Sequence, residues 1–328
     1  MKHLNYLDRK KLELYLKPRY GETKIGQELE PISDISNLKD MPQEYVIVGI
    51  PEDIGVVANH GKAGTALAWD SFLRSFLNTQ KNDYNPVDNV VILGNIDCTI
   101  ELKKAREFDK NHNDYHVFLG DLVESIDDKV YEVVKAIYLA NKIPVIIGGG
   151  HNNAYGIIKA YAEAFDRPLN VLNIDAHTDL RHMDYRHSGN GFSYALKNKY
   201  LKKYFIFGLH ENYTPHYVFN DIKSNAHIDF CFFDHLLHLN PLERLSKLKH
   251  ACNFLGENFG LEIDCDSMGN FNSSAMSPSG FTTDQMRNML SLLKRNSLEY
   301  IHFCEAIPDE HGLTGKALSY FVSDLLRV

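Results

Sequence analysis

The chain has 328 residues, 44% hydrophobic and 24% charged, with 43 acidic against 35 basic side chains and a formal net charge of -8. This is the composition of an ordinary globular α/β protein with a sizeable core. The acidic balance, with no basic stripe, argues against nucleic acid or an anionic membrane surface as partner. No window approaches the roughly 20 apolar residues of a membrane span and the first residues carry no apolar signal segment, so a cytosolic protein is expected.

In chain order, residues 1–40 are charged and turn-rich and read as a surface-wrapping extension. Strands are expected at 45–50, 90–93, 144–147, 170–174, 204–207, 229–233, 261–264 and 300–304, all rich in Val, Ile, Phe and Tyr. Several lack polar alternation, as strands covered on both faces should. Helices are expected over 65–77, 122–140, 154–165, 241–252, 283–295 and 315–325. Asn240 followed by Pro241 is a cap and first-turn pair for one of them. The repeated strand-then-helix order predicts a three-layer α/β/α fold with a mostly parallel sheet of about eight strands. No linker or repeat divides the chain, so 1–328 reads as one domain. Five scattered cysteines (Cys98, Cys231, Cys252, Cys265 and Cys304) include no C-x-x-C pair and read as buried free thiols of a reducing compartment.

Three short stretches stand where predicted strands end: Gly148-Gly149-Gly150-His151, Asp175-Ala176-His177-Thr178-Asp179 and Asp264-Cys265-Asp266. Open parallel sheets build sites beyond the carboxyl ends of their strands, so His151, Asp175, His177, Asp179, Asp264 and Asp266 are expected to converge there. Asp264 and Asp266 share one face of extended backbone, whereas Asp175, His177 and Asp179 need the chain to curl. The glycines allow a tight turn before His151. No Gly-Lys-Ser/Thr follows that would make the turn a phosphate loop. Four carboxylates and two imidazoles exceed the needs of one divalent cation. They suit a pair of hard ions, manganese rather than zinc by ligand hardness, and a hydrolytic role.

GGGH, NIDAHTD and IDCD, in this order, resemble the signature of the arginase/agmatinase/formiminoglutamase family, the ureohydrolases, from about Tyr45 to the end of the chain. The resemblance implies an arginase-like fold with two Mn²⁺ per subunit. His151, Asp175, Asp179 and Asp264 would hold one ion, and His177, Asp175, Asp264 and Asp266 the other. It also implies a hydroxide between the ions as the nucleophile and a homo-oligomer, trimer or hexamer; Asp179 would hydrogen-bond that hydroxide and then pass a proton to the leaving amine. Glu305, in HFCEAIP, matches the family's glutamate that pairs with the cationic nitrogens of an amidine or guanidine substrate.

The triple-glycine form is often that of formiminoglutamases, whereas arginases and agmatinases usually read GGDH. The SGN stretch at Ser188-Gly189-Asn190 resembles that of the family, placing Asn190 at the substrate, but Phe192 or Ser193 stands where arginases have a catalytic histidine. That proton-shuttle role is thus left without its obvious residue, and His187, a candidate catalytic group, or Arg186 is expected to border the pocket instead. Lys62, in a first loop resembling the family's pocket loop, and Arg186 or Arg181 would meet substrate carboxylates. N-formimino-L-glutamate, with two carboxylates and an amidine, is the expected substrate, giving L-glutamate and formamide. The alternatives are another ureohydrolase, a catalytically silent metal-binding relative, and a single-zinc deacylase of related architecture. One departure stands out. Family members usually carry a small hydroxyl residue two positions before the first aspartate of D-x-D, and this chain has Glu262. Strand alternation puts it on the face of Asp264 and Asp266, where it would be either a partner of the metal ligands or a source of like-charge crowding.

Overall fold

The computed structural model describes residues 1–85 and 87–326; positions 86, 327 and 328, all inside the domain expected from the sequence, lie outside the described residues. Among the described residues, nine strands form one sheet: β1 (Leu4–Tyr6), β2 (Tyr45–Gly49), β3 (Val90–Ile96), β4 (Ile143–Ile147), β5 (Leu169–Ile174), β6 (Leu201–Leu209), β7 (Ile228–Phe232), β8 (Asn258–Asp264) and β9 (Ser297–Cys304). Their order is β1-β3-β2-β4-β9-β8-β5-β6-β7. Every pairing is parallel except β1 with β3. The eight expected strands are all present. The ninth, β1, lies in the N-terminal extension, and three residues are too few to show a period of two. It docks where Gly94 of β3 has φ 129°, and a Cβ there would overlap the Asn5 carbonyl. Only glycine permits that approach.

Strand alternation divides the apolar side chains between two cores. Ile47, Val145, Ile147, Leu172, Ile174, Leu261, Ile263 and Phe303 pack with the helices Ala68–Phe76, Pro241–Leu255, Thr283–Leu293 and Leu313–Leu326 on one face. Val46, Val48, Ile146, Val171 and Ile206 pack with Tyr115–Leu139 and Ala154–Phe165 on the other. Each fully buried Val, Ile, Leu or Phe contributes roughly 1.5–3 kcal/mol, so both faces must be covered, and the three-layer arrangement follows. The helix Tyr115–Leu139 begins seven residues before its expected start at 122. The stretch ahead of that start contains Gly120, a poor helix former, but a Cβ there would press to 3.0 Å against the Arg186 backbone nitrogen. The close approach of the 185–186 segment accounts for the glycine.

The helix starting at Pro241 begins at its expected residue, for the expected reason. The Asn240 side chain accepts from Glu243 N at 3.0 Å, and Glu243 Oε2 accepts from Asn240 N at 2.8 Å, a reciprocal capping box. Asn240→Ala is expected to cost about 1 kcal/mol in urea unfolding; no measurable change would show the cap to be dispensable.

Four consecutive strands in the sheet, β4-β9-β8-β5, end in the segments that carry chemistry. Register keeps those ends level: Ile147 pairs with Phe303, Asp264 with Cys304, and Ile174 with Ile263. No helix among the described residues is long and apolar enough to cross a membrane. The cysteines carry free thiols, four of them buried and Cys231 partly so.

Candidate metal centre

His151 follows the turn after β4. Gly148 and Gly149 adopt φ 89° and 77°, a region closed to most side chains. Glu52, wholly buried, ties this turn down by accepting from Gly150 N at 2.8 Å and Asn153 Nδ2 at 2.7 Å, and it also accepts from Ile54 N at 2.8 Å. The result aims the His151 ring at the ends of β5 and β8. Its Nδ1 lies 2.8 Å from Asp179 Oδ2, 3.0 Å from Asp264 Oδ2 and 3.4 Å from Asp175 Oδ2. These four residues offer ligand atoms all within 4.8 Å of one another, and all four are buried. Yet His151 Nδ1 has no hydrogen-bond partner among the described residues. A nitrogen converging at once with three carboxylate oxygens, with no well-directed hydrogen bond to any one of them, suits a shared central cation.

Supporting contacts fix each ligand. Asp175 Oδ2 accepts from Asn173 Nδ2 at 2.8 Å and its Oδ1 from His177 N at 2.7 Å. Asp264 Oδ1 accepts from Asp266 N at 2.7 Å. Asp266 in turn accepts from Ser274 Oγ at 3.1 Å and Ala275 N at 2.9 Å. Asp179 holds a left-handed backbone, φ 50°, which supplies the curl expected after Ile174. His177 Nδ1 stands 3.5 Å from Asp175 Oδ1, and its ring stacks on Tyr213 at 5.3 Å. His177 and Asp266 flank this quartet without belonging to the set whose ligand atoms all lie within 4.8 Å of one another.

The field here favours positive charge. Burial, with Asp175 and Asp266 alongside, drives the Asp264 carboxyl well above its usual range. Burial lifts Asp179 as well. Burial alone would lower His177, but the hydrogen bond and charge of Asp175 outweigh it and hold the ring at about 10. Hard oxygen donors in a negative, buried pocket fit divalent manganese.

A cavity of about 420 Å³ opens onto His177, Asp179, Asp264, Asp266 and Glu305. Glu305, after β9, has φ 60°, a costly conformation for a glutamate. Its Oε1 accepts from His151 N at 2.7 Å, while Oε2 is buried without a partner among the described residues. Burial, with Asp266 nearby, raises its carboxyl to about 8. The first loop also lines this cavity through Asn59, His60, Gly61 and Lys62. Lys62 and Arg181 are exposed cations on this cavity.

Three residues expected at the substrate lie elsewhere. Arg186 turns inward, 1% exposed. Its Nε and Nη2 donate to the two Asp127 oxygens at 2.9 and 3.2 Å, Nη2 also donates to Asn152 O at 3.0 Å, and Nη1 donates to Asn190 Oδ1 at 2.6 Å. Asn190 is wholly buried and spends its amide hydrogens on His182 O and Tyr185 O. His187 does not line the cavity. Its Nδ1 accepts from Gly189 N at 3.1 Å, and burial lowers the ring to about 4, so it serves as a neutral cap for the 188–190 turn. The imidazole that reaches the cavity from the first loop is His60, ring to ring with His116 at 3.9 Å. Sequence spacing gave no sign of the supporting roles of Glu52, Asn173 and Tyr213, because each acts on a segment distant from its own or through a local turn.

Known proteins are similar to this chain in sequence and fold. The chain is 28% identical to the formimidoylglutamase of Staphylococcus aureus over 214 residues, 63% of this chain, and spans only 61% of that relative's length. The Mn²⁺-bound crystal structure of Trypanosoma cruzi formiminoglutamase superposes with a TM-score of 0.73 at 18% identity, covering 93% of this chain and 97% of that one. The formimidoylglutamase of Bacillus subtilis gives 0.73 at 15% identity, over 95% and 93%. These two likenesses establish a shared fold. A model of the arginase family matches residues 43–326, nearly everything beyond the N-terminal extension, and on that match the chain belongs to the arginase family.

Proposed function

We propose that this chain is a metal-dependent hydrolase that cleaves the C–N bond of a linear amidine, converting N-formimino-L-glutamate and water to L-glutamate and formamide. The observation that carries the hydrolytic reading is the convergence of His151 Nδ1 with oxygens of Asp175, Asp179 and Asp264 from three separate strand ends. Those four, with His177 and Asp266, would hold two Mn²⁺. Bound there, the ions would supply Lewis acidity and bring the pKa of water toward neutrality.

The chain's own groups do the rest. Glu305, its carboxyl raised to about 8 by burial, ionises against the cationic amidine and meets its nitrogens through Oε2 in a charge-assisted pair, the partner that this buried oxygen otherwise lacks. Lys62 and Arg181, on the same cavity, orient the two carboxylates of the glutamate portion. Asp179 lines the cavity as well and, as a carboxylate, accepts a proton from the attacking water and passes it to the leaving nitrogen. The formimidoylglutamase relative supports the choice of substrate.

The test is a Mn²⁺-loaded screen of N-formimino-L-glutamate, arginine, agmatine and guanidinobutyrate. Formamide release is expected from the first. Urea release from a guanidine would move the substrate to another branch of the family, and no turnover by metal-loaded protein would mark a silent relative. Glu305→Gln keeps the acceptor for His151 N but loses the charge. It is expected to lower kcat/KM roughly 30- to 1000-fold, as for truncating one side of a buried charge pair, with manganese content unchanged. A variant as active as wild type would remove Glu305 from the substrate.

A further inference from the structure

Glu262 has no role in the chemistry above, yet it is a fully buried carboxylate on β8. Register sets it opposite His302 of β9, with Gly260 opposite Tyr300 and Asp264 opposite Cys304. Its Oε1 accepts from Tyr300 Oη at 2.6 Å, and its Oε2 lies 2.6 Å from His302 Nδ1. The other nitrogen of His302 faces Gly148 O at 3.4 Å, in the turn that delivers His151. The same Oε2 lies 3.5 Å from His151 Nε2. That nitrogen is buried and has no hydrogen-bond partner among the described residues. The edge of the ring is closed by Phe192 at 5.1 Å, nearly perpendicular to it.

A neutral imidazole has one N–H, and the nitrogen that binds a cation must be bare. If Nδ1 faces the ion, the proton sits on Nε2, and a buried donor needs an acceptor. We infer that Glu262 is a positioning residue for His151: it takes the Nε2 proton in a hydrogen bond and so commits Nδ1 to the cation. This inference rests on the metal-centre reading above. Tyr300 and His302 hold the carboxylate in place from the next strand, and His302 couples it to the Gly148 turn. A carboxylate behind a ligating histidine fixes the ring and makes it a stronger ligand. Here it arises from a strand position two residues before Asp264, on the same face of β8. Glu262 therefore acts through His151, and Tyr300 and His302 satisfy its charge from the next strand.

Manganese titrations of wild type, Glu262→Gln and Tyr300→Phe test this, read by metal content and electron paramagnetic resonance alongside far-UV circular dichroism. Glu262→Gln is expected to keep its secondary structure while losing about 10- to 100-fold in affinity for the ion at His151. At metal levels that saturate wild type, its spectrum should then report isolated Mn²⁺. Tyr300→Phe, which leaves the charge in place, should stay within about threefold of wild type on the same scale. Wild-type affinity and spectrum in Glu262→Gln would overturn the inference and leave the metal centre standing, whereas wild-type protein that binds no manganese would overturn both. If Glu262→Gln does not fold, wild-type protein loaded with diamagnetic Mg²⁺ decides by long-range ¹H–¹⁵N spectra. A His151 proton on Nε2 is expected, and one on Nδ1 would refute the assignment.

Discussion

Replacing Asp264 by alanine is expected to abolish turnover, by at least about 10³-fold, while the metal-free fold survives. Asp264 belongs to both proposed ligand sets, so its loss should leave at most one tightly bound ion per chain by metal analysis. The fold survives because Asp264 is a liability without metal. It is buried among like charges, and burial with Asp175 and Asp266 nearby holds its carboxyl well above the usual carboxylate range. A carboxyl with a raised folded-state pKa contributes stability that is present below its unfolded value and lost as pH rises through the folded value. Metal-free wild type should therefore lose stability as pH climbs from about 4, and Asp264→Ala should lack part of that slope. Against this gain, alanine leaves Asp266 N without its acceptor, at about 1–3 kcal/mol. Asp264→Asn keeps that acceptor and separates the two effects. Substantial turnover in either variant, or two ions still bound, would contradict the bridging role.

The second large effect is on stability. Arg186→Ala should cost about 3–5 kcal/mol in urea unfolding, the usual loss when one side of a buried ion pair is removed. The guanidinium meets Asp127 with two hydrogen bonds and lies between Tyr155 and Tyr194, 5.1 and 4.8 Å from their ring centres. Burial already lifts Asp127 to about 6 against the pull of Arg186. Without the arginine it would be an uncompensated buried acid, expected to take up a proton. Because Arg186 points away from the cavity, KM measured well below the melting temperature should stay within about twofold. Near-normal stability with a sharply raised KM would return Arg186 to the substrate.

The sequence by itself determined eight of the nine described strands, the principal helices and the residue types proposed for the metal centre. These depend on short-range features: an apolar run ending in a glycine turn before His151, the i, i+2 pair Asp264 and Asp266, and an acid-imidazole-acid series that begins where β5 stops. Even the start of the helix at Pro241 was legible, because a capping box is complete within four residues. Only the tertiary structure decided which strands are neighbours. The β4-β9-β8-β5 order brings Glu305 and Glu262 to His151, more than 100 positions away in the chain, and that adjacency comes from packing on both sheet faces. It also decided which cation of the 181–190 segment faces out. That segment has no period to read, so Arg181 reaches the cavity and Arg186 the interior through contacts with the helix Tyr115–Leu139 and the 152–155 stretch. Local pattern fixes what a residue can do. The direction in which a loop side chain points is set by partners far away in sequence.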